Sequence, residues 1–265
     1  MNKKIIFIVI GSIILLIILG ISLKPKETGE KTEVKSISFQ EANKLIKDGK
    51  YFEARKMLKE EKNAAEDPLA IKKAQNKLED INMKLLFSPR KDNCSKIYKV
   101  KRGDSLSRIA KKFDTTVGLI KKANGLTSNK IIPEQELKVN TCKFSLVVDK
   151  SQNILFLKRN GNIIKTYIVA TGKQGRTPEG KFIIINKLVK PTWYKTGAVV
   201  LPDNPENILG SRWMGFDKAG YGIHGTTEPE SLGNQVTLGC IRMRNEEVEE
   251  LYTIIPTGTE VVIVE

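Results

Sequence analysis

The sequence predicts a multi-domain chain: a mainly β, sandwich-like C-terminal domain preceded by a small βααβ module, an α-helical segment and one transmembrane helix. Three observations carry this. Residues Ile5 to Leu23 form an uncharged run dominated by Ile and Leu. Apolar residues then recur at helical spacing from Phe39 to Leu85. Beyond Phe144, short β-type runs alternate with turn signals. The 265 residues suffice for one large domain or two to three small ones. The net charge of +15 favours polyanionic surroundings, whether nucleic acid, anionic lipid or phosphate-bearing polymers, without choosing among them. There are three cysteines and one histidine, which excludes a His-rich metal site.

The first element is read from Met1-Asn2-Lys3-Lys4 and the apolar run behind it. A helix needs about 20 apolar residues to cross the hydrocarbon core, and flanking lysines hold that end in the cytoplasm. Segment 1–23 is therefore expected to be a single-pass signal-anchor at the cell membrane, with everything after it outside. Gly20-Ile21-Ser22 is a faint cleavage site, and the run is long for a signal peptide. Residues 24–36 are polar and read as a linker. Residues 37–90 read as a helical hairpin or stalk. Phe39, Ala42, Leu45 and Ile46 recur at helical spacing, and Phe52, Ala54, Arg55 and Leu58 start a second helix. Asp67-Pro68 starts a further helix carrying Leu69, Ile71, Ala74, Leu78, Ile81 and Leu85. The pattern is similar to a single tetratricopeptide-type unit, too small to bury much core alone, and suits a spacer.

Between 94 and 142 the pattern changes. Tyr98-Lys99-Val100 alternates like a strand, and Asp104 or Ser105 can cap a helix bearing Leu106, Ile109, Ala110 and Phe113. Asp114-Thr115-Thr116 caps another, with Val117, Leu119, Ile120 and Ala123. Leu137-Lys138-Val139 closes as a second strand. The stretch YKVKRGDSLSRIAKKFDTTVGLIKKANGL, continuing to IIPEQELKV, resembles a LysM module. That resemblance implies binding of N-acetylglucosamine-containing glycans. The family usually has Gly where Glu134 stands, which bears on that turn's geometry. If the two strands pair antiparallel, Cys94 and Cys142 come together, and outside the cytosol a disulfide can persist there. Two unpaired thiols are the alternative. The pairing leaves Cys240 as the free thiol.

The last domain, 143–265, opens with runs Phe144–Asp149, Ile154–Leu157 and Ile163–Val169, separated by Lys150–Asn153 and Arg159–Asn162. This predicts an antiparallel meander within a sandwich, with Val261–Val264 as a terminal strand. Glu246–Ile254 is the helical exception, Asn245 its N-cap. His224 lies in YGIHGT and Cys240 in TLGCIRM. A thiol is a strong nucleophile near neutral pH once an imidazolium or a cation such as Arg242 lowers its pKa. Gly239 leaves room for a carbonyl, and the N–H groups of Gly239 and Cys240 can hold an oxyanion. From spacing alone, a buried cysteine and an incidental histidine stay open as the alternative. Asp217 has nothing aiming it at His224, and a zinc site fails for want of ligands.

IHGTTEPESLGNQVTLGCIRM, with ATGKQGRTPEGKFII upstream, resembles the L,D-transpeptidase catalytic domain over Phe144 to Glu265. The resemblance implies Cys240 as nucleophile and His224 as general base and acid. It implies the Gly225 carbonyl as orienter of the imidazole, Gly239 and Cys240 at the oxyanion site, and Arg242 as support for the nucleophile loop or receiver of a substrate carboxylate. Thr237 stands where the family has Ser, keeping the hydroxyl. Tyr221 and Trp213 line the cleft or pack in the core, and Thr177–Gly180 reads as a turn. The implied substrate is a peptidoglycan stem tetrapeptide, with an amine of a neighbouring stem as acceptor and release of D-alanine. Neither cofactor nor metal is expected, and export makes nucleic acid an improbable partner. A carboxypeptidase or endopeptidase of the same fold, or a non-catalytic wall-binding protein, are the alternatives.

Overall fold

The computed structural model describes residues 39–265 apart from 196 and 203. These divide into two compact units, to Ile81 and from Asn82. In the first unit residues 39–47 are helical, followed by α1 (Tyr51–Ala64) and the larger part of α2 (Pro68–Leu86). Among the described residues, Ala42, Ala54, Leu58, Ala74, Leu78 and Ile81 are its buried apolar positions. Asp67 caps α2, its carboxylate accepting from the N–H groups of Leu69 and Ala70 at 3.1 Å each.

The second unit begins with the end of α2, then β1 (Ser95–Lys99), α3 (Leu106–Lys112), α4 (Val117–Ala123) and β2 (Glu136–Asn140). β1 and β2 pair antiparallel from Ser95↔Asn140 to Lys99↔Glu136. Ser105 caps α3 and Thr116 caps α4. Asp104 is left to accept from the Tyr98 hydroxyl at 2.7 Å and the Lys101 N–H at 2.8 Å. Glu134 takes φ 71°, the left-handed conformation that explains glycine's usual place in that turn. Cys94 and Cys142 form a disulfide with Cα atoms 5.0 Å apart.

The remaining strands are β3 (Phe144–Asp149), β4 (Ile154–Arg159), β5 (Asn162–Ile168), β6 (Thr171–Gly172), β7 (Gly180–Val189), β8 (Trp193–Lys195), β9 (Ala198–Val200), β10 (Arg212–Phe216), β11 (Gly222–His224), β12 (Gln235–Thr237), β13 (Ile241–Arg242) and β14 (Glu260–Val264), with α5 (Asn245–Ile254) before β14. The expected sandwich is corrected here. Eight strands form one mixed sheet in the order β13-β11-β10-β7-β14-β3-β4-β5. The meander β3-β4-β5 exists, but β14 inserts beside β3 in parallel and joins it to β7. Two separate sheets are thereby replaced by one that curls round a common core. Leu146 and Leu155 from one half, Met214, Ile223 and Ile241 from the other, and Val248 and Leu251 of α5 belong to the same buried cluster.

The module and this sheet pack within the one unit. Leu119 of α4 is part of the sheet's core, and the Thr116 hydroxyl donates to the Thr253 carbonyl. The Arg159 guanidinium pairs with Asp92 at 2.7 Å and donates to Asn140 Oδ1 and the Cys94 carbonyl, each at 2.8 Å. Lys138 Nζ donates to the carbonyls of Leu85 at 2.6 Å and Ser88 at 2.9 Å. Burial pushes its pKa down to about 8, against the pull of Asp92.

The expected transmembrane helix has no counterpart among the described residues, none of whose helices is long and apolar enough to cross a membrane. The longest, α2, carries Lys72, Lys73, Lys77, Glu79, Asp80 and Lys84, and such charges cannot be left in hydrocarbon. Segment 1–23, on which that expectation fell, and the linker 24–36 lie outside the described residues.

Candidate active site

Strand alternation decides which residues meet. Met214, Phe216, Ile223 and Ile241 point to the core and are buried. Their neighbours therefore face the other side. Trp213 opposes His224 across β10 and β11, and Leu188 across β7. β11 runs parallel to β13 with His224↔Arg242 and Ile223↔Ile241. One step back along that register, Cys240 lies beside Gly222. His224, Cys240 and Trp213 thus share the sheet face opposite the core.

The imidazole of His224 is 2% exposed. Its Nδ1 lies 2.6 Å from the Gly225 carbonyl oxygen. A carbonyl only accepts, so this contact puts the proton on Nδ1 and leaves the Nε2 lone pair free. The Trp213 indole stacks on the ring, centroids 6.1 Å apart and planes 18° from parallel. Cys240 is half-buried, with Sγ 3.4 Å from the Gly220 carbonyl.

The turn before Cys240 is tightly held. The Thr237 hydroxyl donates to the Cys240 carbonyl at 2.6 Å and accepts from the Gly239 N–H at 3.2 Å. The buried Thr177 hydroxyl donates to the Gly239 carbonyl at 2.9 Å and accepts from the Gly172 N–H at 2.7 Å. Gly239 has φ 135°, and a Cβ there would lie 2.7 Å from the Tyr221 ring and 3.0 Å from the Arg176 carbonyl. The Gly239 N–H, expected at the oxyanion site, is thus engaged by Thr237, which leaves the Cys240 N–H of that pair. Arg242, buried, pairs with Glu228 at 2.6 Å and donates to Ser231 Oγ at 3.0 Å. It secures the loop after His224 to the strand after Cys240.

A family model of the L,D-transpeptidase catalytic domain, named YkuD, matches residues 143–263, and one of the LysM domain matches 98–140. The YkuD protein of Bacillus licheniformis, which carries L,D-transpeptidase in its name, is 35% identical over 175 residues, covering 63% of this chain and 98% of that protein. YkuD of Bacillus subtilis, similarly named, is 37% identical over 173 residues, covering 63% and 97%. The chain belongs to the L,D-transpeptidase family. A second Bacillus subtilis relative, YqjB, is 43% identical over 124 residues, covering 44% of this chain and 69% of its own length.

In this L,D-transpeptidase two residues matter that sequence reasoning placed elsewhere. Thr177 was expected in a plain turn and instead ties Gly239 to Gly172. The signal was its place in the TGK…TP block. Asn245 was expected to cap α5. The cap position is Arg244, without a side-chain hydrogen bond. Asn245 Oδ1 accepts from Ser211 N–H at 3.0 Å and Thr226 N–H at 3.1 Å, and its Nδ2 donates to the Thr226 carbonyl at 2.8 Å. It therefore fixes the loop that carries Gly225. Asp217 accepts from the Ile183 N–H at 3.0 Å, just past the end of β10 opposite to Trp213, the residue that pairs with His224. A cavity of about 600 Å³ beside Ser211, Arg212 and Asn245 contains neither Cys240 nor His224. Among the described residues no group of three His, Cys, Asp or Glu stands ready for a metal ion.

The electrostatics differ from the expected ion pair. Burial pushes the Cys240 thiol up to about 11, against the Gly222 hydrogen bond and Arg242. Burial pushes His224 down to about 4, against its Gly225 hydrogen bond. Arg242 is already committed to Glu228, and its charge also opposes imidazolium formation. The resting pair is neutral thiol and neutral imidazole. Alkylation of Cys240 by iodoacetamide is therefore expected to keep rising with pH, by about tenfold per unit from 6 to 9, as the thiolate fraction grows. Mass spectrometry of the modified chain reads the rate. A plateau already present at pH 6 would mean an ion pair instead.

Proposed function

We propose that this L,D-transpeptidase crosslinks peptidoglycan stem peptides through a Cys240 acyl-enzyme. The observation that supports this best is that the strand register puts His224 and Cys240 on one face of the sheet, with the His224 Nδ1–H held by the Gly225 carbonyl. His224 Nε2 takes the thiol proton as Sγ attacks the carbonyl of the third stem residue. The Cys240 N–H faces the developing oxyanion. His224 then protonates the departing D-alanine amine, leaving a thioester. An acceptor amine, deprotonated by His224, attacks that thioester. The new amide is the crosslink, and the thiol is restored. Trp213 and Tyr221 line the substrate, and Thr237 and Arg242 hold the turn and the loop around it.

The LysM module, 94–142, would hold the glycan and raise the local concentration of stems for domain 143–265. Residues 37–90 serve as a spacer. The Cys94–Cys142 disulfide supports a place of work outside the cytosol, at the cell wall.

The test is incubation of the chain from Ser36 to Glu265 with disaccharide-tetrapeptide, beside Cys240→Ala. The expected product is a dimer that has lost one D-alanine, absent from the variant. A Cys240-dependent tripeptide monomer alone would mean a carboxypeptidase, and no Cys240-dependent product would mean a binding role.

A further inference from the structure

The open face carries one more polar side chain in line with the catalytic pair. Asn186, on β7, opposes Gly215 on β10, which opposes Gly222 on β11. By the register above, Cys240 is next in that row. Asn186 Oδ1 accepts from Trp213 Nε1 at 3.1 Å and from the Gly215 N–H at 3.2 Å. Two acceptances by one oxygen fix the amide's orientation. The indole is confined as well. A Cβ on Gly215 would come within 2.7 Å of Trp213 Nε1, and one on Gly222 within 2.8 Å of the indole ring. The two glycines form a flat bed on which the indole lies, and Asn186 fastens its N–H end. The other side of that arrangement is the stack on His224.

We propose that Asn186 is a positioning residue of the site: by fastening Trp213 it fixes the plane of the His224 imidazole and hence the direction of Nε2. This rests on the transpeptidase reading for the reaction, though not for the geometry. An imidazole whose one ring nitrogen is anchored at Gly225 can still rock about that bond. The stacked indole limits the rocking, and an indole free to slide would not. Offset stacking of such rings is a modest interaction on its own, so the fixed hydrogen bond at the far end strengthens the restraint. Misdirection of a general base acts on the chemical step and leaves substrate affinity little changed.

Three variants test this. Asn186→Leu keeps the volume and removes the acceptor. Asn186→Asp keeps an oxygen for both donors. Trp213→Phe keeps a ring and removes the N–H. Asn186→Leu is expected to lower kcat by about tenfold or more with KM within about twofold. Asn186→Asp should restore kcat to within about threefold. Asn186→Leu combined with Trp213→Phe should be no slower than the slower single variant, because the Trp213–Asn186 bond is already lost in either one. Wild-type kcat in Asn186→Leu, an Asn186→Asp as slow as the leucine variant, or effects that multiply in the double variant would each overturn the proposal. Indole emission in a Trp193→Phe background should shift in Asn186→Leu and return in Asn186→Asp. Alkylation of Cys240 by iodoacetamide, which needs no substrate, supplies an independent arm. If the wild type makes no crosslink, slower alkylation in Asn186→Leu still upholds the positioning role, and an unchanged rate overturns it.

Discussion

Replacing Arg159 by alanine is expected to lower the unfolding free energy by about 3–5 kcal/mol, measured by urea denaturation at pH 7. The guanidinium joins three partners at the seam between the module and the sheet, and both it and Asp92 are almost wholly buried, side chains 9% and 3% exposed. Removing it strands Asp92 as an unpaired carboxylate and leaves the Cys94 carbonyl and Asn140 amide short of a donor. Replacing Asp92 and Arg159 together by apolar residues should recover much of the loss, since no charge is then left behind. The pH dependence has a defined sign. Burial pushes the Asp92 carboxyl up, but Arg159 and Ser95 outweigh it, and the net shift is downward. Its stabilisation is therefore complete above the unfolded carboxylate range near pH 4 and is lost as pH falls through the lowered folded value. A single Arg159→Ala variant as stable as wild type would show that the seam is held by apolar packing alone.

Gly239→Ala is expected to cut kcat/KM by about 100-fold or more while leaving the thiol in the chain. Two causes act together. The φ of 135° is outside the range an alanine adopts without strain. The added Cβ also meets the Arg176 carbonyl, a backbone atom that cannot swing aside as the Tyr221 ring can. The turn must then shift, and it carries Cys240 with it. A displacement of about 1 Å at a reacting atom is worth about two orders of magnitude. Crosslink formation from disaccharide-tetrapeptide supplies the rate, and thiol titration of the folded variant checks that Cys240 survives. Retained activity would mean that the turn relaxes without moving Sγ.

Much of the fold was legible because local patterns fix it. The helices of 39–86, the caps Asp67, Ser105 and Thr116, the meander β3-β4-β5 and helix α5 all follow from spacing and from residues that satisfy free N–H groups. The placing of His224 and Cys240 in one site was legible in part because one His and one unpaired Cys leave little choice, and because their flanking motifs resemble a known family. The placement of the terminal strand was not legible. Val261–Val264 reads as a strand in isolation, and its position between β3 and β7 depends on residues more than 70 positions away in sequence.

What the sequence determined by itself was the chemistry available: the thiol, the imidazole, the glycines beside them, and the cysteines that can pair. Tertiary structure decided how that chemistry is poised. Arg242 looked like an activator of Cys240 or a support for its loop, and the fold brings Glu228 to it, so that it ties the loop while its charge still acts on Cys240 and His224. Asn245 looked like a helix cap, yet it faces Ser211 and Thr226. The Gly239 N–H looked free, yet Thr237 occupies it. For Arg242 and Asn245 the side chain's own propensity is satisfied by partners distant in sequence, and for Gly239 by the local turn that Thr237 closes. A pKa likewise depends on burial as well as neighbours, and burial of His224 and Cys240 arises from the curled sheet, which no window of sequence contains.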